Sequence, residues 1–67
     1  DARLWYAIDR LPPERKQIFL LSKRDGLKNQ AIAEELNLSV KTVENQMSKA
    51  LKALRETAIR VYMFFFG

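Results

Sequence analysis

The sequence predicts an all-α domain built from four helices, and three observations support this. Apolar residues recur every three or four positions along most of the chain, the period of a helix packed on one side. Helix-breaking residues are few, because proline occurs only at Pro12 and Pro13 and glycine only at Gly26 and Gly67. The length of 67 residues allows one domain, and we expect residues 1–67 to form it.

The first helix is expected to run from Ala2 to Arg10. Pro12 and Pro13 end it, because the residue before a proline disfavours the helical backbone region. Its apolar stripe consists of Leu4, Ile8 and Leu11, with Trp5 beside it.

The second helix is expected to begin at Pro13, a position where the missing N–H costs nothing. It runs to about Arg24, and Gly26 is its natural C-cap. Its inward side chains are Ile18, Phe19 and Leu21.

The third helix is short and is expected to run from Asn29 to Leu36. Leu27 and Ile32 have the spacing of a hydrophobic staple around an N-cap at Lys28. Lysine is a poor cap, so the start of this helix is weakly marked. Asn37 closes it, because asparagine tolerates the left-handed backbone conformation.

The fourth helix is expected to begin after Ser39, a favourable N-cap. Leu38 and Val43 form its staple. Its apolar stripe comprises Val40, Val43, Met47, Ala50 or Leu51, Leu54 and Ala58. At about 100° per residue, the opposite side is basic and amide-bearing. It carries Lys41, Asn45, Ser48, Lys49 and Lys52.

The chain ends in an apolar tail, "RVYMFFFG". If the fourth helix continues, Val61 and Phe65 extend its stripe, whereas Met63, Phe64 and Phe66 point outward as a binding surface. The alternative is that the tail bends back onto the first helix and completes the core.

Composition excludes several functional classes. The chain has no cysteine and no histidine, which excludes disulfides, thiolate or imidazole zinc sites and histidine acid–base chemistry. A domain this small has little room for an enclosed catalytic cavity, so we expect no catalysis, no cofactor and no metal. The longest apolar run, "VYMFFF", is far shorter than the roughly 20 residues that span a bilayer, so we expect a cytoplasmic protein without a membrane partner.

Charge is distributed unevenly around a net value of +4. Residues 15–28 hold five bases against one acid, and residues 41–60 hold five bases against two acids. Between them, residues 29–40 carry only Glu34 and Glu35. Two basic zones of this kind suit a polyanionic partner, although a solvated surface would look the same.

The third and fourth helices together predict a helix-turn-helix over about residues 29–56. Ala31 and Ala33 keep the third helix slim where the fourth must cross it. The chemistry suits double-stranded DNA, because lysine and arginine neutralise phosphates, asparagine pairs with adenine and glutamate accepts from cytosine. The N-terminus of the fourth helix adds free N–H groups for a phosphate.

The segments "LPPERKQIFLL", "GLKNQAIAEELNLS" and "VKTVENQMSKALKALRE" give the chain a clear resemblance. Together they resemble region 4 of a bacterial sigma factor of the extracytoplasmic-function (ECF) group, from Leu11 to Glu56. The resemblance implies recognition of the promoter −35 element in the major groove, docking on the β flap of RNA polymerase, and an anti-sigma factor as a further partner.

The resemblance also implies roles for particular residues. The base-reading positions of the family match Glu44, Asn45, Ser48 and Lys49. Its backbone-contacting positions match Asn29, Gln30, Lys41 and Thr42, to which we add Lys52 from the basic face of the fourth helix. The chain departs from the family pattern at Lys28, where serine or threonine is usual, and at Glu44, where several ECF members carry arginine.

The sequence also allows two alternative functions. The segment "SVKTVEN" is also similar to the DNA-binding domain of LuxR-type response regulators, which would dimerise on a two-fold symmetric site. A helical protein-interaction module that binds no DNA is the other. A complete sigma factor also needs a region that opens DNA at the −10 element, so we expect the 67 residues to be a cut-out domain or a partial relative.

Overall fold

The computed structural model describes residues 2–66, and it describes side chains for residues 2–56. This part of the chain contains four helices and no strand, which confirms the predicted fold class. They are α1 (Ala2–Asp9), α2 (Pro13–Lys23), α3 (Asn29–Leu36) and α4 (Val40–Phe66). The first two helices end about one residue before their predicted ends at Arg10 and Arg24.

Helix α4 is the central element, because α1, α2 and α3 all pack against it. Its 27 residues span about 40 Å at 1.5 Å per residue, close to the 42 Å long dimension of the molecule. None of the helices described over residues 2–66 is long and apolar enough to cross a membrane.

The core consists of two clusters of buried side chains. The α1 cluster joins α1 to the middle of α4 and contains Ile8, Leu11, Ala50 and Leu54, with Ala7, Phe19 and Leu20 packed against it. The helix-turn-helix cluster contains Ile18, Ile32, Ala33 and Val43, with Leu21, Leu27, Leu36 and Leu38 around it. The predicted stripes supply most of these residues because each helix buries one side.

Some residues predicted on the apolar stripes are partly exposed. Leu4 and Val40 each expose 39% of their surface, and Trp5 exposes 53%. Of the two alternatives for the stripe of α4, Ala50 is buried and Leu51 is exposed. Val40 is the first residue of α4, where fewer neighbouring elements cover a side chain.

The connection after α2 depends on a glycine. Gly26 has φ +74°, and a Cβ added there would meet no atom within 4 Å, so the backbone conformation rather than space selects glycine. The amide N–H of Asp25 donates to the carbonyl oxygen of Leu20 at 3.1 Å, and that of Leu27 to Leu21 at 3.0 Å. These bonds use carbonyl groups that the end of α2 leaves unpaired.

The predicted continuation of the fourth helix into the tail is confirmed for the backbone only. Helix α4 continues to Phe66, as the first of the two alternatives requires. The predicted orientations of Val61, Met63, Phe64, Phe65 and Phe66 concern side chains outside the described residues.

Candidate nucleic-acid interface

The turn between α3 and α4 has a well-defined geometry. Asn37 adopts the left-handed conformation, with φ 56° and ψ 47°, as predicted. The N–H of Leu38 donates to the carbonyl oxygen of Ala33 at 2.8 Å, and that of Asn37 donates to Glu34 at 3.4 Å. This pair of bonds is a Schellman motif, and its usual apolar contact is present between Leu38 and the cluster containing Ala33. The turn therefore fixes the direction in which α4 leaves α3.

Ser39 caps the N-terminus of α4, as the sequence predicts. The amide N–H of Thr42 donates to Ser39 Oγ at 3.0 Å, and Ser39 Oγ donates to Thr42 Oγ1 at 2.9 Å. The predicted staple also forms, because Leu38 packs against the cluster that contains the fully buried Val43. The amide of Thr42 is thus satisfied within the protein, whereas those of Val40 and Lys41 precede it in the first turn, at the positive end of the helix dipole.

The start of α3 lacks such a cap. Lys28 occupies the cap position with an extended backbone and makes no side-chain capping bond. The amide of Ile32 donates to the carbonyl oxygen of Lys28 at 3.0 Å, and Leu27 packs against the cluster of Ile32, so the predicted staple is present without the polar cap. Hydrophobic contact rather than a side-chain oxygen therefore fixes where α3 begins.

Helix α4 has one buried side and one exposed side. The buried side carries Val43, Met47, Ala50 and Leu54. The four predicted base-reading residues, Glu44, Asn45, Ser48 and Lys49, are all exposed on the same helix.

The predicted backbone-contacting residues divide between two helices. Lys41 and Lys52 are exposed on α4, and Thr42 is half-buried beside its bond to Ser39. Gln30 is exposed and Asn29 half-buried in the first turn of α3. Seven of the nine predicted site residues therefore lie on α4, and two lie at the uncapped start of α3.

Several bases of residues 15–28 have acceptors within the protein. Lys16 Nζ lies 3.0 Å from Asp9 Oδ1 and joins α2 to α1. Arg24 Nε donates to Asp25 Oδ1 at 2.9 Å, and this hydrogen bond lowers the pKa of the Asp25 carboxyl below its ordinary value. Lys23 and Lys28 are exposed. Residues 15–28 are thus a mixed zone, in which some bases have acceptors within the protein and others are exposed.

The contact between Arg15 and Gln46 was not predicted from the sequence. Arg15 Nε on α2 donates to Gln46 Oε1 on α4 at 2.9 Å, and both side chains are half-buried. Gln46 lies at the edge of the apolar stripe, a position that periodicity leaves undecided between core and surface. Because 31 positions separate the two residues, no local pattern pairs them.

Comparison with protein families shows the family to which the chain belongs. The family model described as "Sigma-70, region 4" matches residues 1–54, most of the chain and all four helix starts. The chain belongs to the sigma-70 region 4 family. This confirms the resemblance at the level of the family and favours it over the LuxR-type alternative. Comparisons with curated proteins and with solved structures give no match.

Membership in this family explains the arrangement of α3 and α4. Region 4 of sigma-70 factors is a DNA-binding domain that recognises the promoter −35 element and works with RNA polymerase. In this sigma region 4 domain, α3, the Asn37 turn and α4 form the helix-turn-helix. In such a motif the second helix is the one that enters the major groove.

Proposed function

We propose that this chain is the −35-reading domain of an ECF-type sigma factor. The observation that carries the proposal is the two-sided α4, capped at Ser39 and buried along one side. Its other side exposes an amide, a hydroxyl, a carboxylate and several ammonium groups in its N-terminal half. This is the part of a recognition helix that reaches base edges.

We assign base reading to Glu44, Asn45, Ser48 and Lys49. Asn45 can bond an adenine edge through two atoms, Lys49 can donate to guanine and Glu44 can accept from cytosine. Ser48 can donate to or accept from either kind of base. All four side chains are exposed on α4, which supports the assignment.

We assign phosphate contacts to the remaining residues. Lys41 and Lys52 are exposed cations on the same helix. Thr42 accepts a hydrogen bond from Ser39, so its own hydroxyl proton remains available to a phosphate oxygen. Asn29 and Gln30 lie in the first turn of α3, where helix N–H groups have no side-chain cap.

The protein partners of the domain follow from the same proposal. We infer that it docks on the β flap of RNA polymerase and is held inactive by an anti-sigma factor. The exposed aromatic side chains of α1 support a protein contact separate from the DNA-reading face, because Trp5 exposes 53% and Tyr6 62% of their surface. The domain itself carries out no catalysis in this scheme.

The test compares one base-reading and one phosphate-contacting variant on DNA. A duplex is selected from a randomised pool by the wild-type chain, and single-base variants of it are made. Asn45→Ala is expected to lose about 1–3 kcal/mol of discrimination at one base pair. Lys52→Ala is expected to weaken binding to all duplexes and to reduce the salt slope by about one unit.

The control is Arg10→Ala, which removes a positive charge one residue after the end of α1 and is expected to leave discrimination intact. Selection that yields no preferred sequence would refute the proposal. A preferred sequence whose recognition survives both Asn45→Ala and Lys49→Ala would show that α4 is not the reading element.

A further inference from the structure

We propose that Arg15, on α2, is a positioning residue for DNA recognition, because its hydrogen bond to Gln46 fixes the rotation of α4 about its own axis. The inference rests on the proposed function, since it concerns how α4 presents its exposed side to a duplex. Arg15 itself is not assigned a contact with DNA.

The hydrogen bond between Arg15 and Gln46 is strong enough to restrain the rotation of α4. Arg15 Nε donates to Gln46 Oε1 at 2.9 Å, between two half-buried side chains on different helices. A hydrogen bond from a charged donor is stronger than a neutral one, and partial exclusion of water strengthens it further.

The buried side of α4 contributes apolar contacts to its packing. The buried side of the helix is made of Val43, Met47, Ala50 and Leu54, whose contacts are apolar. Hydrophobic burial is non-directional, whereas a hydrogen bond has a preferred distance and angle, so the bond adds a directional restraint to these contacts. A rotation of about 10° moves a side-chain tip by about 1 Å at the radius of a helix with its side chains. That displacement exceeds the range of distances over which a hydrogen bond keeps its strength.

Gln46 lies next to the proposed DNA contacts. On α4, Thr42 precedes it by four positions and Lys49 follows it by three, so both are its neighbours on the helix surface. Val43 and Ala50, at three before and four after, connect it equally to the buried side. Gln46 thus lies at the boundary between the packed and the exposed sides of α4. A hydrogen bond from α2 at this position restrains the rotation of α4 and therefore the direction in which its exposed side faces DNA.

The experiment uses variants that remove the bond but keep the side-chain bulk. Arg15→Met removes the donor, Gln46→Met removes the acceptor, and the double variant removes both. Arg10→Met is the matched control, because it deletes an arginine that follows α1 and bonds to Tyr6 of α1 rather than to α4. Affinity is measured for the duplex selected by the wild-type chain and for a shuffled duplex of equal length, at several salt concentrations and below the unfolding transition.

We expect each single variant to bind the selected duplex about three- to tenfold more weakly, and the double variant to be no worse than either, because both substitutions remove the same interaction. Affinity for the shuffled duplex and the salt slope should match those of Arg10→Met. Should Arg15→Met fail to fold, Gln46→Met alone tests the same bond and changes no charge.

Two results would overturn the inference while leaving the proposed function intact. If Arg15→Met weakens both duplexes equally and lowers the salt slope by about one unit more than Arg10→Met does, Arg15 contacts phosphate directly. If Arg15→Met and Gln46→Met lower only stability and retain the wild-type preference, the bond is structural. A wild-type chain without any preference refutes the proposed function instead.

Discussion

The two core clusters differ in how completely they are enclosed. In the helix-turn-helix cluster, Ile18, Ile32 and Val43 have no exposed surface. Ala33 of that cluster retains 5% exposure. In the α1 cluster, Ala50 is fully enclosed, but the larger side chains Ile8, Leu11 and Leu54 retain 4–7% exposure, and Trp5 and Tyr6 on α1 are exposed. The contrast indicates that the packing of α3 against α4 depends on a cluster to which α1 contributes no residue.

The largest effect is expected when an isoleucine of each cluster is replaced by alanine, and the difference between the two variants tests this contrast. Ile32→Ala should destabilise the domain by an amount in the upper part of the range of about 2–5 kcal/mol, because the site is fully enclosed and leaves a cavity. Ile8→Ala deletes the same atoms and should lie in the lower part of that range. Denaturant unfolding measures both, and equal costs would show that the two clusters are equally tight.

The second prediction concerns the capped start of α4. Ser39→Ala should lower stability by about 0.5–2 kcal/mol, since the amide of Thr42 loses its acceptor. Ser39→Asp is the control, because aspartate caps equally well and should retain wild-type stability. An unchanged denaturant midpoint for Ser39→Ala would mean that the turn and the staple alone define the start of α4.

The third prediction uses the uncapped start of α3. Lys28→Ser should raise stability by about 0.5–1 kcal/mol, because serine can accept from the first-turn N–H groups that Lys28 leaves uncapped. The gain should exceed that of Lys23→Ser, which changes the charge equally but lies in the last turn of α2. If thermal melts of the two variants coincide, the enclosed core around Ile32 already sets the start of α3.

The smallest expected effect is a pH dependence at the connection between α2 and α3. The hydrogen bond from Arg24 lowers the pKa of Asp25 below 3.8. A lowered folded pKa contributes stability above the ordinary pKa, and this contribution is lost as the pH falls through the folded pKa. Asp25→Asn should therefore differ slightly from wild type at about pH 6, and the difference should shrink as the pH falls through the lowered pKa of Asp25. The pair is exposed, so high salt should reduce the difference.

Helix positions could be predicted from the sequence because their causes are local. Pro13, Asn37 and Ser39 act on the backbone within a few residues, and the structure places each at the predicted helix end. Periodicity also predicts the buried residues Val43, Met47 and Leu54 of α4. The residues proposed to touch DNA came from the exposed side of that pattern and from the family resemblance, and their roles remain predictions.

The sequence by itself determined four helices, a capped recognition helix with two sides and membership in a DNA-binding family. Only the tertiary structure decided that Arg15 pairs with Gln46, that Lys16 pairs with Asp9 across two helices, and that Leu51 rather than Ala50 faces solvent. The reason is physical. Caps and turns depend on neighbours in the chain, whereas a long polar side chain at the edge of a stripe finds its partner only when helices distant in sequence are packed together.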